Sequence, residues 1–156
     1  MIHFFVAGKP QPRGSKEGFP IKRRNGTYGV AMADSNKHSG EWMGRVAAAA
    51  AEAYGGDLID EPVRLACVFQ FARPKSHFGT GRNSDKLKAS APARHAQKPD
   101  LSKLVRAVED GLTGVVWRDD SLVISYDGVG KIWTTKGEGV HVWVTPISEL
   151  EAELPR

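Results

Sequence analysis

The chain has 156 residues, room for one domain with a real core but not for two comfortable ones. Its hydrophobic fraction of 40% and charged fraction of 26% are those of a soluble globular protein, and no apolar run approaches the ~20 residues a membrane span needs. The net charge of +4 is uneven: residues 1–30 hold six Lys and Arg against one acid and residues 71–100 hold seven against two, whereas 31–70 and 101–156 each carry a net −3.

Two basic stretches in acidic surroundings fit surfaces aimed at a polyanion, and equally a pair of solvated loops. The single Cys67 closes no internal disulfide and sits in an apolar run, so it reads as a core residue. The segment MIHFFVAGKP lacks the apolar core and small-residue cleavage site of a signal peptide. A cytoplasmic, reduced setting is the expectation.

IHFFVAG, residues 2–8, is a β-rich run ending at a Gly-Lys-Pro loop. The following segment is rich in Pro, Gly and charge, and its Arg24-Asn25-Gly26-Thr27 has the make-up of a hairpin turn. Ser39 is placed to cap a helix through GEWMGRVAAAAAEAY, whose alanine run has high helix propensity and which Gly55-Gly56 stops. In PVRLACVFQF, residues 62–71, Val63, Leu65, Cys67 and Phe69 alternate onto one face of a strand. Residues 73–99 have no periodicity and few large apolar groups; a loop of that length is functional or disordered. LVISYDGVGKIWTT and GVHVWVTP read as two strands, joined across KGEG as a hairpin. The acidic tail, 147–156, reads as a short terminal helix or a frayed end. The expectation is a single α+β domain over 1–156, with a mixed or antiparallel sheet of about four strands flanked by helices.

Residues 98–121, KPDLSKLVRAVEDGLTGVVWRDDS, carry the chemistry. Pro99 precedes a helix and Asp100 is a favoured N-cap. Leu101, Leu104, Val105, Val108 and Leu112 form a core-facing stripe roughly 100° wide. Asp100, Lys103, Arg106 and Asp110 share another arc, roughly 120° wide. Gly111 and Gly114 loosen and end the helix, and Arg118-Asp119-Asp120 emerge beyond Trp117. Each acid has a plain structural role open to it: a cap for Asp100, turn residues for Asp119 and Asp120, an i+4 pair with Arg106 for Asp110. Gathered together, they repel unless a cation neutralises them, and Mg²⁺ takes one or two carboxylates plus water and phosphate. Acids bracketed by basic loops therefore suit phosphodiester hydrolysis.

The same stretch, K-P-D-L-x-K-L-x-R-A-x-x-D-x-L-T-G-x-x-W-x-D-D-S-x-V, resembles the signature of the RusA-type Holliday-junction resolvases common in phages and prophages. The dense match covers residues 98–123, with looser support from the first strand and its G-K-P-Q-P-R, the middle helix and the closing strands. The resemblance implies a homodimeric, Mg²⁺-dependent endodeoxyribonuclease, with Mn²⁺ a substitute, that cuts four-way DNA junctions symmetrically. It implies Asp100 and Asp120 as catalytic carboxylates, Arg106 where the family has a catalytic lysine, and Asp100, Asp119 and Asp120 as metal ligands. Asp110 matches the helix acid. The family's second aspartate falls on Ser102, a neutral ligand at best. That departure leaves three readings: a site working through the remaining acids, compensation by Glu109 or Asp110, or a junction-binding relative that does not cut.

The resemblance casts Lys9, Arg13, Lys16, Arg73, Lys75, Lys98 and Lys103 as contacts to DNA phosphates, in the loops about 9–30 and 73–99 and at the start of the helix. Lys22, Arg23 and Arg24 extend the first loop. His77 and Phe78 read as plain loop residues or as a wedge into an opened junction, and His95 as a loop residue or a phosphate contact.

Overall fold

The computed structural model describes residues 1–152. Its elements are β1 (Ile2–Ala7), β2 (Lys16–Lys22), β3 (Tyr28–Asp34), α1 (Ser39–Ala53), β4 (Val63–Ala72), α2 (Leu101–Leu112), β5 (Val123–Tyr126), β6 (Gly130–Thr134), β7 (Gly139–Pro146) and α3 (Ile147–Ala152). The expected acidic tail begins as α3, and residues 153–156 lie outside the described residues.

β4 is the centre. Its alternating pattern puts Val63, Leu65, Cys67, Phe69 and Phe71 on the face that meets the helices, all essentially buried. Each such side chain contributes ~1.5–3 kcal/mol through burial. Cys67 is a core residue as expected, and burial pushes its thiol far above the usual range. The sheet order is β1-β7-β4-β5, with β6 also paired to β4. β7 runs antiparallel to both β1 and β4, while β5 and β6 run parallel to β4 in succession along its other edge. The architecture is α+β with a mixed sheet, as expected.

The expected closing hairpin is corrected. The run from Leu122 to Thr135 is interrupted at Asp127–Val129, where Gly128 takes φ +72°. β6 and β7 do not pair with each other; β4 lies between them. Lys136-Gly137-Glu138 arches over the end of β4, and Glu138 accepts from the Ala72 N–H at 3.2 Å. The physical reason is burial. β4 alternates into the core over more residues than β6 and takes the position between β6 and β7.

α1 and α2 cover one face of the sheet through Trp42, Val46 and Ala50 from the first and Leu104, Val105, Val108 and Leu112 from the second. Gly111 does not end α2, contrary to the sequence expectation. A Cβ there would stand 3.0 Å from the Met43 carbonyl oxygen and from Val46, so Gly111 lets the helices approach. Gly114 takes φ +80° just past the helix end, as its position predicts.

Ser39 is not the cap of α1 either. His38 holds the N-cap position, and the Ser39 hydroxyl, buried, donates to Asp34 Oδ2 at 2.9 Å. β2 and β3 form a separate two-stranded ribbon closed by the predicted turn, where Gly26 takes φ +82° and the Arg23 N–H donates to the Thr27 carbonyl at 2.7 Å.

Candidate nucleic-acid interface

Asp100 stands at the N-cap of α2 with extended backbone (φ −67°, ψ 133°), as its place after Pro99 predicts. Its carboxylate makes no capping hydrogen bond; it is 56% exposed and 3.7 Å from Lys103 Nζ. The side chain is therefore not consumed by the helix. Lys131 of β6 holds the chain that leads into it, donating to the carbonyl oxygens of Gln97 (2.6 Å) and Pro99 (2.8 Å). This lysine escaped the sequence reading. Its signal was there: in G-K-I-W-T it shares the inner face with Trp133, an unusual place for a lysine without a fixed partner.

The two basic loops converge here. A cleft of about 900 Å³ is walled by Lys9 and Arg13 from the first loop, His95 and Lys98 from the second, and Asp100 and Lys103 of α2. Four of the seven expected phosphate contacts, Lys9, Arg13, Lys98 and Lys103, thus share one wall system. Lys16 lies apart, exposed at the start of β2, and Lys75 is exposed on a 3-10 turn. Arg73 is engaged: its guanidinium sits 5.4 Å over the Trp133 ring and donates to the Pro92 carbonyl at 2.9 Å.

Arg13 is also a strut. Its Nε meets Asp110 at 2.9 Å, its Nη1 meets Asp34 at 3.0 Å, and its backbone N–H donates to the Lys103 carbonyl at 3.0 Å. Asp110 therefore pairs with Arg13, not with Arg106 one turn back. Asp34 further accepts from the Gly14 and Asn36 N–H groups, both at 2.8 Å. Partial burial opposes its ionisation, but the hydrogen bonds from Asn36, Ser39 and Gly14 and the Arg13 charge hold its carboxyl below the usual range. Arg106 is exposed and free of ion pairs among the described residues.

His95 is 6% exposed, with its ring 4.5 Å from Phe71 and 4.2 Å from Trp133. Burial, reinforced by the Lys131 charge and opposed by a backbone hydrogen bond, pushes its pKa down. His77 packs edge-on against Trp133 of β6, and the Phe78 backbone forms an antiparallel bridge with Leu87.

At the other end of α2, Asp119 accepts from the Ser121 N–H at 2.8 Å, and hydrogen bonding to Ser121 lowers its pKa. Asp120 is exposed beside it. Glu109 faces them from the helix: burial raises its pKa against a 2.7 Å hydrogen bond from the Tyr126 hydroxyl, and the Asp120 and Asp110 charges raise it further. Burial and that same Glu109 push the Tyr126 phenol up to about 12. Ser102 is exposed on the helix surface, two residues from Asp100.

Asp100 stands at the N-cap of α2, whereas the Asp120 charge acts on Glu109, in the last turn of that helix. Among the described residues, no three carboxylates, histidines or cysteines are close enough to hold one metal ion together. The donors that one chain gathers fall short of a three-carboxylate centre. They match the one or two carboxylates that Mg²⁺ takes when water and phosphate fill its remaining positions.

Fold and cleft together define an α+β protein in which the Asp100 N-cap of α2 opens into a cleft walled by basic loops. The chain belongs to the RusA endodeoxyribonuclease family: the family model described as "Endodeoxyribonuclease RusA" matches residues 7–145, most of its length. This is a family of Holliday-junction-resolving endonucleases that act on branched DNA and are generally dependent on a divalent metal. YqaN of Bacillus subtilis (strain 168), described as an uncharacterized protein, is 27% identical over 123 residues, which is 79% of this chain and 82% of that one. Among the described residues, no helix is long and apolar enough to cross a membrane.

Proposed function

We propose that this chain is a structure-specific, divalent-metal-dependent endonuclease that resolves four-way and other branched DNA junctions as a homodimer. The observation that carries the reading is the exposed Asp100 carboxylate, free of any capping bond and paired only loosely with Lys103, set in a cleft with Lys9 and Lys98 at the start of the family's signature helix. Lysines in such a cleft bind phosphates without reading sequence, which suits an enzyme that recognises a shape.

By the family resemblance, Asp100 and Asp120 are assigned the essential carboxylate roles and Asp119 that of a further ligand for Mg²⁺ or Mn²⁺, although among the described residues the single chain does not gather the three into one cluster. When bound, the ion would supply a hydroxide nucleophile and offset charge on the phosphorane-like transition state. Arg106, exposed on the same helix, would stabilise that charge but is not a proton donor at ordinary pH. Two-fold symmetry gives the homodimer its reason: a four-way junction offers two equivalent strands, and a C₂ dimer offers two equivalent sites. A reduced, cytoplasmic location, in the bacterial host if the chain is phage-encoded, fits the lone buried thiol.

A second reading, a junction-binding protein of weak or absent activity, is favoured by Ser102, whose exposed hydroxyl stands where the family carries a carboxylate. One experiment tests both. A labelled four-way junction and a linear control are incubated with the protein in Mg²⁺ or chelator, beside Asp120→Asn and Ser102→Asp. Metal-dependent cutting of the junction that Asp120→Asn abolishes supports the enzyme. Binding without cutting, with cleavage restored by Ser102→Asp, supports the second reading. No preference for the junction over duplex sinks both.

A further inference from the structure

The β2–β3 ribbon is built as though something covers it. In the paired register, Met32 lies opposite Gly18, Val30 opposite Pro20 and Tyr28 opposite Lys22, so these six share one face. On it Tyr28, Val30 and Met32 are 72%, 70% and 60% exposed. Phe19 and Ile21 stand exposed on the reverse face. Neither strand packs substantially on any other helix or strand. A lone two-stranded ribbon is marginal in water, and exposed contiguous apolar side chains mark a contact surface.

Two features say what covers it. The first is charge. The tip carries Lys22, Arg23 and Arg24 in succession, and no acid lies between Gly18 and Ala33. The buried parts of protein–protein contacts are poor in lysine, whereas three adjacent cations suit phosphates. The second is the root. Asp34 ties the end of β3 to Gly14, Ser39 and Arg13, and Arg13 continues to Asp110 of α2. Gly14, Ser15 and Ser35 at this root line the cleft that holds Asp100. Seven residues of antiparallel strand reach about 24 Å from that rim. A two-stranded ribbon is an element that DNA grooves admit, and apolar side chains wedge where base steps are unstacked.

We propose that the β2–β3 ribbon is the element that selects branched over linear DNA, entering the branch point with Tyr28, Val30 and Met32 against exposed base faces while Lys22 and Arg24 hold flanking phosphates. The proposal rests on the junction-directed reading above and names how the substrate is told apart. Linear duplex offers no unstacked faces, so the apolar side chains gain nothing from it.

The test uses the full chain in chelator, so that binding is read without cleavage. Fluorescence anisotropy follows a labelled four-way junction and a linear duplex, 2-aminopurine beside the branch reports unstacking, and light scattering reports assembly. The V30S/M32S variant changes only exposed positions. It is expected to lose about tenfold in junction affinity and less than about twofold in duplex affinity, with the 2-aminopurine signal reduced. The K22Q/R24Q variant is expected to weaken both and to lower the salt slope by about two. Unchanged junction preference in V30S/M32S overturns the proposal and leaves the functional reading standing. A shift in assembly with preference intact makes the ribbon a contact between copies and also overturns it. If the wild type itself binds junction and duplex alike, the functional reading falls and this proposal with it.

Discussion

Arg13 Nε and Asp110 Oδ2 lie 2.9 Å apart, joining the first basic loop to the last turn of α2, while the same guanidinium reaches Asp34. One arginine therefore fixes three pieces of chain: the loop that walls the cleft, the root of the β2–β3 ribbon and α2. Both partners of the first pair are partly shielded, with 23% and 31% of their side chains exposed.

Arg13→Ala is expected to cost about 1–3 kcal/mol, because two carboxylates lose their charged partner while remaining partly buried. Urea unfolding measures it, and a double-mutant cycle with Asp110→Ala should give a coupling of at least about 0.5 kcal/mol. Strict additivity would reduce the strut to a surface contact.

Asp100→Asn should behave differently. An N-cap that bonds the helix is worth about 1 kcal/mol, but the Asp100 side chain makes no such bond. Stability is expected to stay within about 0.5 kcal/mol of wild type, with junction cleavage falling at least about a hundredfold. A large loss of stability with activity retained would return Asp100 to the role of a cap.

Ser102→Asp adds a carboxylate two residues along the exposed helix surface from Asp100. Cleavage of a four-way junction at limiting Mg²⁺ is expected to rise by about tenfold or more, from tighter metal binding near the acids. Titration with Mn²⁺ should show the same ordering. Equal rates would mean that the remaining acids already suffice.

Acid should unfold the protein partly through Asp34. Its folded pKa is lowered from the ordinary 3.8. Its stabilisation is therefore complete above that value and is lost as pH falls through the lower folded pKa. His95 acts in the same sense at higher pH. Its folded pKa lies below 6.5, so its contribution is full above 6.5 and drops as pH falls toward the folded value. In His95→Phe, stability between pH 7 and 5 should vary less than in wild type. An unchanged slope in chemical denaturation across that range would remove His95 from the account.

The parts of the fold governed by local pattern were legible in the sequence. Alternation in 63–71 gave β4, the Arg24-Asn25-Gly26-Thr27 turn gave the ribbon's bend, and the 3.6-residue stripe with Pro99-Asp100 gave α2 and its start. What escaped depends on partners distant along the chain. Whether two neighbouring strands pair or admit a third between them is decided by burial across the whole sheet, so the β6–β7 hairpin was a reasonable local expectation and wrong. Gly111 looked like a helix breaker because its reason, the Met43 carbonyl, lies on another helix. At the candidate site, spacing placed Asp100 and both basic loops near one another. The Arg13 and Lys131 clasps, each across more than 30 residues or to two partners at once, leave no periodic trace.

The position of β7 has a consequence for how the chain is made. Among the described residues, β1 pairs only with β7, and β7 joins it to β4. During synthesis the first strand therefore waits for the last: Ile2–Ala7 has no ladder until Gly139–Pro146 has left the ribosome. At about 5–20 residues per second that is a delay of several seconds or more, during which an apolar edge stands open to other nascent chains. Expression at lower temperature or slower initiation should favour the soluble product, and a chain ending before Gly139 should leave β1 with its packing on α1 but no strand partner.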